Sequence, residues 1–136
     1  MADYGHWNCT IDMPDTAYGF IYRITDNETG KFYIGKKQIL SKRRIPALKG
    51  KKNRRTKIIE TDWKSYTSSS RELNEDIDKY GKDRFLFEIV RFCKSKWELA
   101  YFEAKYQFAE DVLVNEKSYN GIINLRIGKA PKSYEK

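Results

Sequence analysis

The chain has 136 residues, 40% hydrophobic and 15% aromatic, which is one domain's worth of sequence with too much apolar material for a disordered chain. One histidine, His6, and two distant cysteines, Cys9 and Cys93, exclude a zinc cluster and a Ser-His or Cys-His catalytic system, and both thiols read as reduced. The net charge of +8 is concentrated: eleven of the 27 Lys and Arg residues lie between Lys36 and Lys57 with no acid among them, leaving 16 basic against 19 acidic residues elsewhere. Such a block of one sign repels itself and calls for a polyanionic partner. The segment lacks the apolar stripe of a membrane-surface helix, so nucleic acid is the expected partner. No apolar run approaches the ~20 residues of a membrane span and no signal-peptide pattern is present, so the expected location is the cytoplasm.

In chain order, residues 1–16 read as an N-terminal arm, loosely held. Tyr18–Thr25, rich in aromatic and β-branched residues, predicts a strand. Asp26–Gly30 carries turn chemistry and Lys31–Lys36 predicts a second strand, making a hairpin. The basic segment, residues 36–57, is interrupted by Pro46 and Gly50 and is expected as loop and short helix. Ser69 with Glu72 forms a capping-box pattern for a helix from about Ser70 to Tyr80, closed by Gly81. Arg84–Phe92 predicts a third strand. Ser95 with Glu98 opens a helix running to about Val114, with Leu99, Phe102, Tyr106, Ala109 and Leu113 on one face. Tyr119–Gly121 is a turn, Ile122–Leu125 an apolar segment docking on the core, and 128–136 a flexible tail. The order β-β-α-β-α predicts an α+β domain over 17–127, a small antiparallel three-stranded sheet flanked by helices.

Without other histidines or a cysteine cluster, catalysis would fall to tyrosine, carboxylate, lysine and arginine. Tyr22 and Tyr33 stand on consecutive antiparallel strands, eleven residues apart, a spacing that brings both phenols to one end of the sheet or simply packs them as cross-strand neighbours. Glu103 lies roughly 80° from the centre of the apolar stripe of its helix, at the edge of the buried face. A carboxylate among aromatics there is costly to bury unless it meets a cation. Pairing with Lys105 or Lys96 is the plain structural alternative, and Glu110, at nearly the same angle, is the alternative carboxylate. Lys36, Lys37, Arg44, Lys51, Lys52, Arg54 and Arg55 are the expected nucleic-acid contacts, made mainly to phosphates.

Taken together, Phe20-Ile21-Tyr22, Tyr33-Ile34-Gly35, Arg43 eight residues beyond that glycine, a helical Glu103 and Asn120 after Tyr119 closely resemble the signature of the GIY-YIG nuclease superfamily, over about residues 18–125. The stretches DWKSYTSSS, DKYGKDRF and SKWELAYFEAKYQ resemble the Seg-type freestanding homing endonucleases of phages, which implies a phage-encoded protein acting in host cytoplasm. Two positions depart from the pattern: Phe20 stands at the first glycine of the GIY element, with Gly19 one place earlier, and Ala47 stands where many relatives carry histidine. The resemblance implies metal-dependent hydrolysis of DNA phosphodiester bonds, with Mg²⁺, or Mn²⁺ substituting, held by Glu103. It implies Tyr22 as general base, its phenol pKa lowered by nearby cations, with Tyr33 as the alternative base or a phosphate orienter. Arg43, or its neighbour Arg44, would bond the phosphate, Asn120 would fix the site's geometry, and Lys36 would touch the phosphate. The alternative function is a catalytically inactive nucleic-acid-binding module on the same scaffold. Monomer and homodimer are both open.

Overall fold

The computed structural model describes residues 3–124 and 126–134. Three antiparallel strands, β1 (Gly19–Asp26), β2 (Phe32–Gln38) and β5 (Phe85–Cys93), form the main sheet in the order β2-β1-β5. Two helices, α1 (Arg71–Tyr80) and α2 (Lys96–Ala109), cover it, and β3 (Leu40–Ile45) pairs with β4 (Arg55–Glu60) as a separate two-stranded ribbon. The architecture is α+β with a three-stranded antiparallel sheet, as the sequence predicts. No helix among the described residues is long and apolar enough to cross a membrane.

Strand β1 is central and buried on both faces, which its run of aromatic and β-branched residues suits. Phe20, Tyr22 and Ile24 pack with Trp63, Phe87, Ile89 and with Leu73 and Ile77 of α1. Ile21 packs on the other face with Phe32, Ile34 and with Leu99 and Phe102 of α2. The β1–β2 turn is fixed by Asp26, 1% exposed, whose Oδ1 accepts from the Glu28 amide at 2.9 Å. Arg84 grips the same carboxylate with two bonds of 2.8 and 2.9 Å. This pair holds the Asp26 carboxyl well below the usual carboxylate range.

Several local expectations change. The basic segment is neither loop nor short helix over most of its length but the β3–β4 ribbon. Its charged side chains hide the strand signal, since both faces meet solvent and no apolar alternation is required of them. The N-terminal cap of α1 is Ser70, not Ser69: Ser70 Oγ accepts from the Leu73 amide at 3.2 Å. Helix α2 begins at the Ser95 cap as expected but ends at Ala109, because Asp111 takes a left-handed φ of 51°. Leu113 and Val114 are consequently exposed, and Val112 turns into the core in their place.

The arm is also not loosely held. Trp7 is 4% exposed and its indole N–H donates to the Trp63 carbonyl. The Asn8 amide donates to Phe87 and the Ile89 amide to Asn8, covering the outer edge of β5. The opposite edge is met by residues 117–120, where the Phe32 amide donates to Lys117 and the Tyr119 amide to Phe32. Both edges of a small sheet, otherwise rows of unpaired amides and carbonyls, are thereby closed over part of their length. Of the expected docking segment, Ile123 packs on the α2 side while Ile122 is exposed, and Leu125 lies outside the described residues. In the expected tail, Gly128 accepts from the Trp97 indole at 2.8 Å and Tyr134 packs on the Trp97 ring.

Candidate active site

Strand register sets Tyr22 opposite Gly35. The missing side chain at Gly35 is the space the tyrosines use. A Cβ there would lie 2.5 Å from the Tyr22 hydroxyl oxygen and 2.7 Å from Tyr33 Cε1. The two rings stack with centroids 6.0 Å apart, and Tyr66 stands edge-on to Tyr22 at 6.2 Å. Tyr33 Oη shares a hydrogen bond of 3.2 Å with Ser69 Oγ, which explains why Ser69 leaves the helix cap to its neighbour. These groups, with Lys36, Glu103, Gln107, Ile122 and Asn124, line a cleft of about 310 Å³.

Glu103 sits within the buried face of α2 rather than at its edge, because the inward stripe runs through Leu99, Phe102, Tyr106 and Gln107. Its side chain is 14% exposed, and its carboxylate faces the Lys36 ammonium at 3.9 Å rather than Lys96 or Lys105. Burial pushes the Glu103 carboxyl above its ordinary range, opposed by the Lys36 charge. Glu110, the alternative carboxylate, is paired instead with Arg23 at 3.4 Å and does not line the cleft.

Behind the cleft, Asn120 closes two bonds on one residue. Its side-chain oxygen accepts from the Ile34 amide at 3.0 Å, and its side-chain N–H donates to the Ile34 carbonyl at 2.8 Å. Gln107 donates to that same carbonyl at 2.9 Å. The YIG segment of β2 is thus held from the C-terminal segment and from α2, and Asn120 acts on strand position without lining the cleft. On the far side, the His6 ring donates from Nε2 to the Tyr66 carbonyl at 2.9 Å.

Three sequence expectations are corrected here. Burial, reinforced by Tyr33, Tyr66 and Glu103, pushes the Tyr22 phenol well above its ordinary value, so the protein's own charges do not lower it. Burial raises Tyr33 as well. Arg43 and Arg44 are exposed on β3 and neither lines the cleft, because the ribbon leaves the main sheet directly after β2. Lys37, expected to contact DNA, is engaged within the protein: its ammonium lies 2.8 Å from Asp62 and over the Tyr66 ring. Lys51, Lys52, Arg54 and Arg55 are exposed as a DNA contact requires.

The sequence does not mark Tyr66, Gln107 or Asn124 as site residues, and it marks Ser69 only as a helix cap. For Gln107 a signal exists, since it stands four residues after Glu103 and so shares its helix face. A larger groove of about 760 Å³ between α2 and residues 127–134 is lined by Trp97, Tyr101, Phe108 and Tyr134, with no carboxylate among the described residues that line it.

The cleft's donors are a carboxylate, phenols and side-chain amides, an oxygen-rich set suited to a hard divalent cation. No group of three or more His, Cys, Asp or Glu side chains occurs among the described residues. A divalent cation would therefore be held by Glu103 as its one carboxylate ligand and would retain several waters, the manner in which Mg²⁺ is commonly bound.

The family model SegE_GIY-YIG (endonuclease segE, GIY-YIG domain) matches residues 5–123. The chain belongs to this GIY-YIG nuclease family. No curated protein and no solved structure matches it significantly. DNA follows as the substrate class of a nuclease domain. In this GIY-YIG domain the departure at the first motif glycine has a steric reading. Phe20 is fully buried with its ring against Trp7 and Trp63. The close approach falls one residue earlier, at Gly19, where a Cβ would lie 2.7 Å from the Lys37 carbonyl oxygen and 2.8 Å from a Leu99 methyl.

Proposed function

We propose that the domain is an active, metal-dependent endodeoxyribonuclease, phage-encoded and homing-endonuclease-like. The observation that carries the reading is Glu103. A carboxylate drawn out of water beside two phenols and a lysine, on a protein that otherwise needs a polyanion, is costly for stability and serves a phosphate-cleaving site. Mg²⁺ or Mn²⁺ bound at Glu103 would supply Lewis-acid polarisation of the scissile phosphate and charge stabilisation of the leaving oxygen.

The chain's own residues divide the remaining work. Lys36, the one cation among the described residues that line the cleft, binds a non-bridging phosphate oxygen and favours the ionised form of Glu103. Tyr22 Oη receives the proton of the attacking water; because burial keeps this phenol protonated at neutral pH, the phenolate is scarce and the rate climbs toward alkaline pH. Tyr33, tied to Ser69, orients the water or the phosphate. Asn120 and Gln107 hold the strand that carries Tyr33 and Gly35. Arg43 and Arg44 meet the DNA from the ribbon, outside the cleft.

The test is incubation of supercoiled plasmid with Mg²⁺, Mn²⁺ or EDTA, with Glu103→Gln beside the parent. Metal-dependent nicking or linearisation lost in the variant is the expected result. Absence of cleavage in either metal, with salt-sensitive DNA binding intact, would identify a binding module on this scaffold.

A further inference from the structure

The β3–β4 ribbon has a form and a face that phosphate attraction alone does not require. It stands apart from the main sheet, with six residue pairs from Leu40↔Glu60 to Ile45↔Arg55. Between residues 40 and 60 it carries nine Lys or Arg and one acid, Glu60, whose carboxylate accepts from the Trp63 indole at the root. Arg43 lies directly opposite Lys57, a like-charge pair that weakens the ribbon by itself. None of these nine cations forms an ion pair among the described residues. A two-stranded ribbon with exposed faces is marginal in water, and a polyanion is the partner that relieves both defects.

Side-chain alternation separates the faces. Ser41, Ile45 and Ile59 on one face are half-buried. The other face is exposed throughout and presents Lys42 beside Ile58 and Arg44 beside Thr56, with Ile58 60% exposed. Forked donors, a hydroxyl and a bare aliphatic group match base edges: an arginine fork for guanine O6 and N7, an aliphatic contact for the thymine methyl. An aliphatic side chain makes no bond to a phosphate, whereas a base edge offers Ile58 a methyl contact. Six residues per strand span about 20 Å, and the B-form major groove, about 12 Å wide, admits a two-stranded ribbon.

We infer that the ribbon enters the major groove of duplex DNA, reading base edges with Lys42, Arg44, Thr56 and Ile58, while Lys49, Lys51, Lys52 and Arg54 of its loop hold phosphates. This makes the ribbon the specificity element of the nuclease, and it rests on duplex DNA being the domain's substrate. RNA duplexes are excluded as the target because their major groove is too deep and narrow for side chains to read.

The experiment uses the full chain carrying Glu103→Gln, so that binding is measured without cleavage. Selection from duplexes with a randomised core is expected to yield a preferred sequence containing guanine. Replacing that guanine by 7-deazaguanine should weaken binding about tenfold, and Arg44→Ala should remove this difference. The triple replacement Lys51→Ala, Lys52→Ala and Arg54→Ala should instead weaken binding to all duplexes alike and reduce the salt slope by roughly three. A selected preference that survives Arg44→Ala together with Thr56→Ala and Ile58→Ala overturns the inference, as does selection of no preference or equal binding to duplex RNA. The plasmid assay stands apart: selective binding without cleavage keeps the ribbon and removes the nuclease reading, whereas cleavage without preference does the reverse.

Discussion

Gly35 is where the cleft has least room. An added methyl would overlap backbone-held rings from two strands, and neither Tyr22 nor Tyr33 can retreat, since Tyr22 is 1% exposed and Tyr33 is bonded to Ser69. Gly35→Ala is expected to destabilise the domain by about 1–3 kcal/mol and to abolish plasmid nicking even where folding persists, which thermal melts beside the nicking assay will show. Glu103→Gln acts in the opposite sense on stability. The folded-state carboxyl has its pKa raised by burial, so its charge opposes folding above that value and the opposition fades as pH falls through it. The variant should melt higher than the parent at pH 8, with the gain fading as acidification protonates the parent's carboxyl, while cleavage drops by at least about a hundredfold. At this scale the sequence is legible: motif spacing places Tyr22, Tyr33 and Glu103 in one cleft and Asn120 behind it. Tyr66 and Ser69 are not legible, because a loop residue reaches a site through tertiary packing that no local period records.

Among the elements, the β1–β2 turn depends on one ion pair. Arg84→Ala takes the guanidinium from the Asp26 carboxylate, 2% exposed as a side chain, leaving it bonded to the turn amides of Glu28 and Thr29, and should lower the urea unfolding midpoint. Adding Asp26→Asn should restore part of that loss, since the uncompensated charge then disappears. Strands β1, β2 and β5 and the start of α2 follow from composition and caps, because burial on one or both faces imposes a pattern. The ribbon does not follow: strands that meet solvent on both faces carry no such pattern, and charge masks the β-branched residues Ile45, Thr56, Ile58 and Ile59. The early end of α2 is likewise a backbone event at Asp111 that the apolar stripe does not announce.

For the molecule as a whole, acid sensitivity has a defined source. His6 is stacked on Phe87 at 4.2 Å and bonded to the Tyr66 carbonyl, and burial, with the Lys82 charge, lowers its pKa from 6.5. A group with a depressed pKa of this kind contributes stability above its unfolded value that is lost as pH falls through the folded value. Melting temperature should therefore fall between pH 7.5 and 5, and His6→Gln, which takes up no proton there, should flatten that fall. The basic block and the α+β class are visible in the sequence, whereas the packing of Trp7 under Trp63 is not, because the two lie 56 residues apart. The Asn120 clamp spans 86 residues to Ile34, and it bears on biosynthesis. As the chain leaves the ribosome, β1 and β2 emerge and can pair early, yet the strand between Tyr33 and Gly35 lacks both of its bonds to Asn120 until that residue is free to fold back. A nascent or prematurely terminated chain therefore cannot present a finished cleft, and the proposed nuclease activity would arrive only once residue 120 has docked.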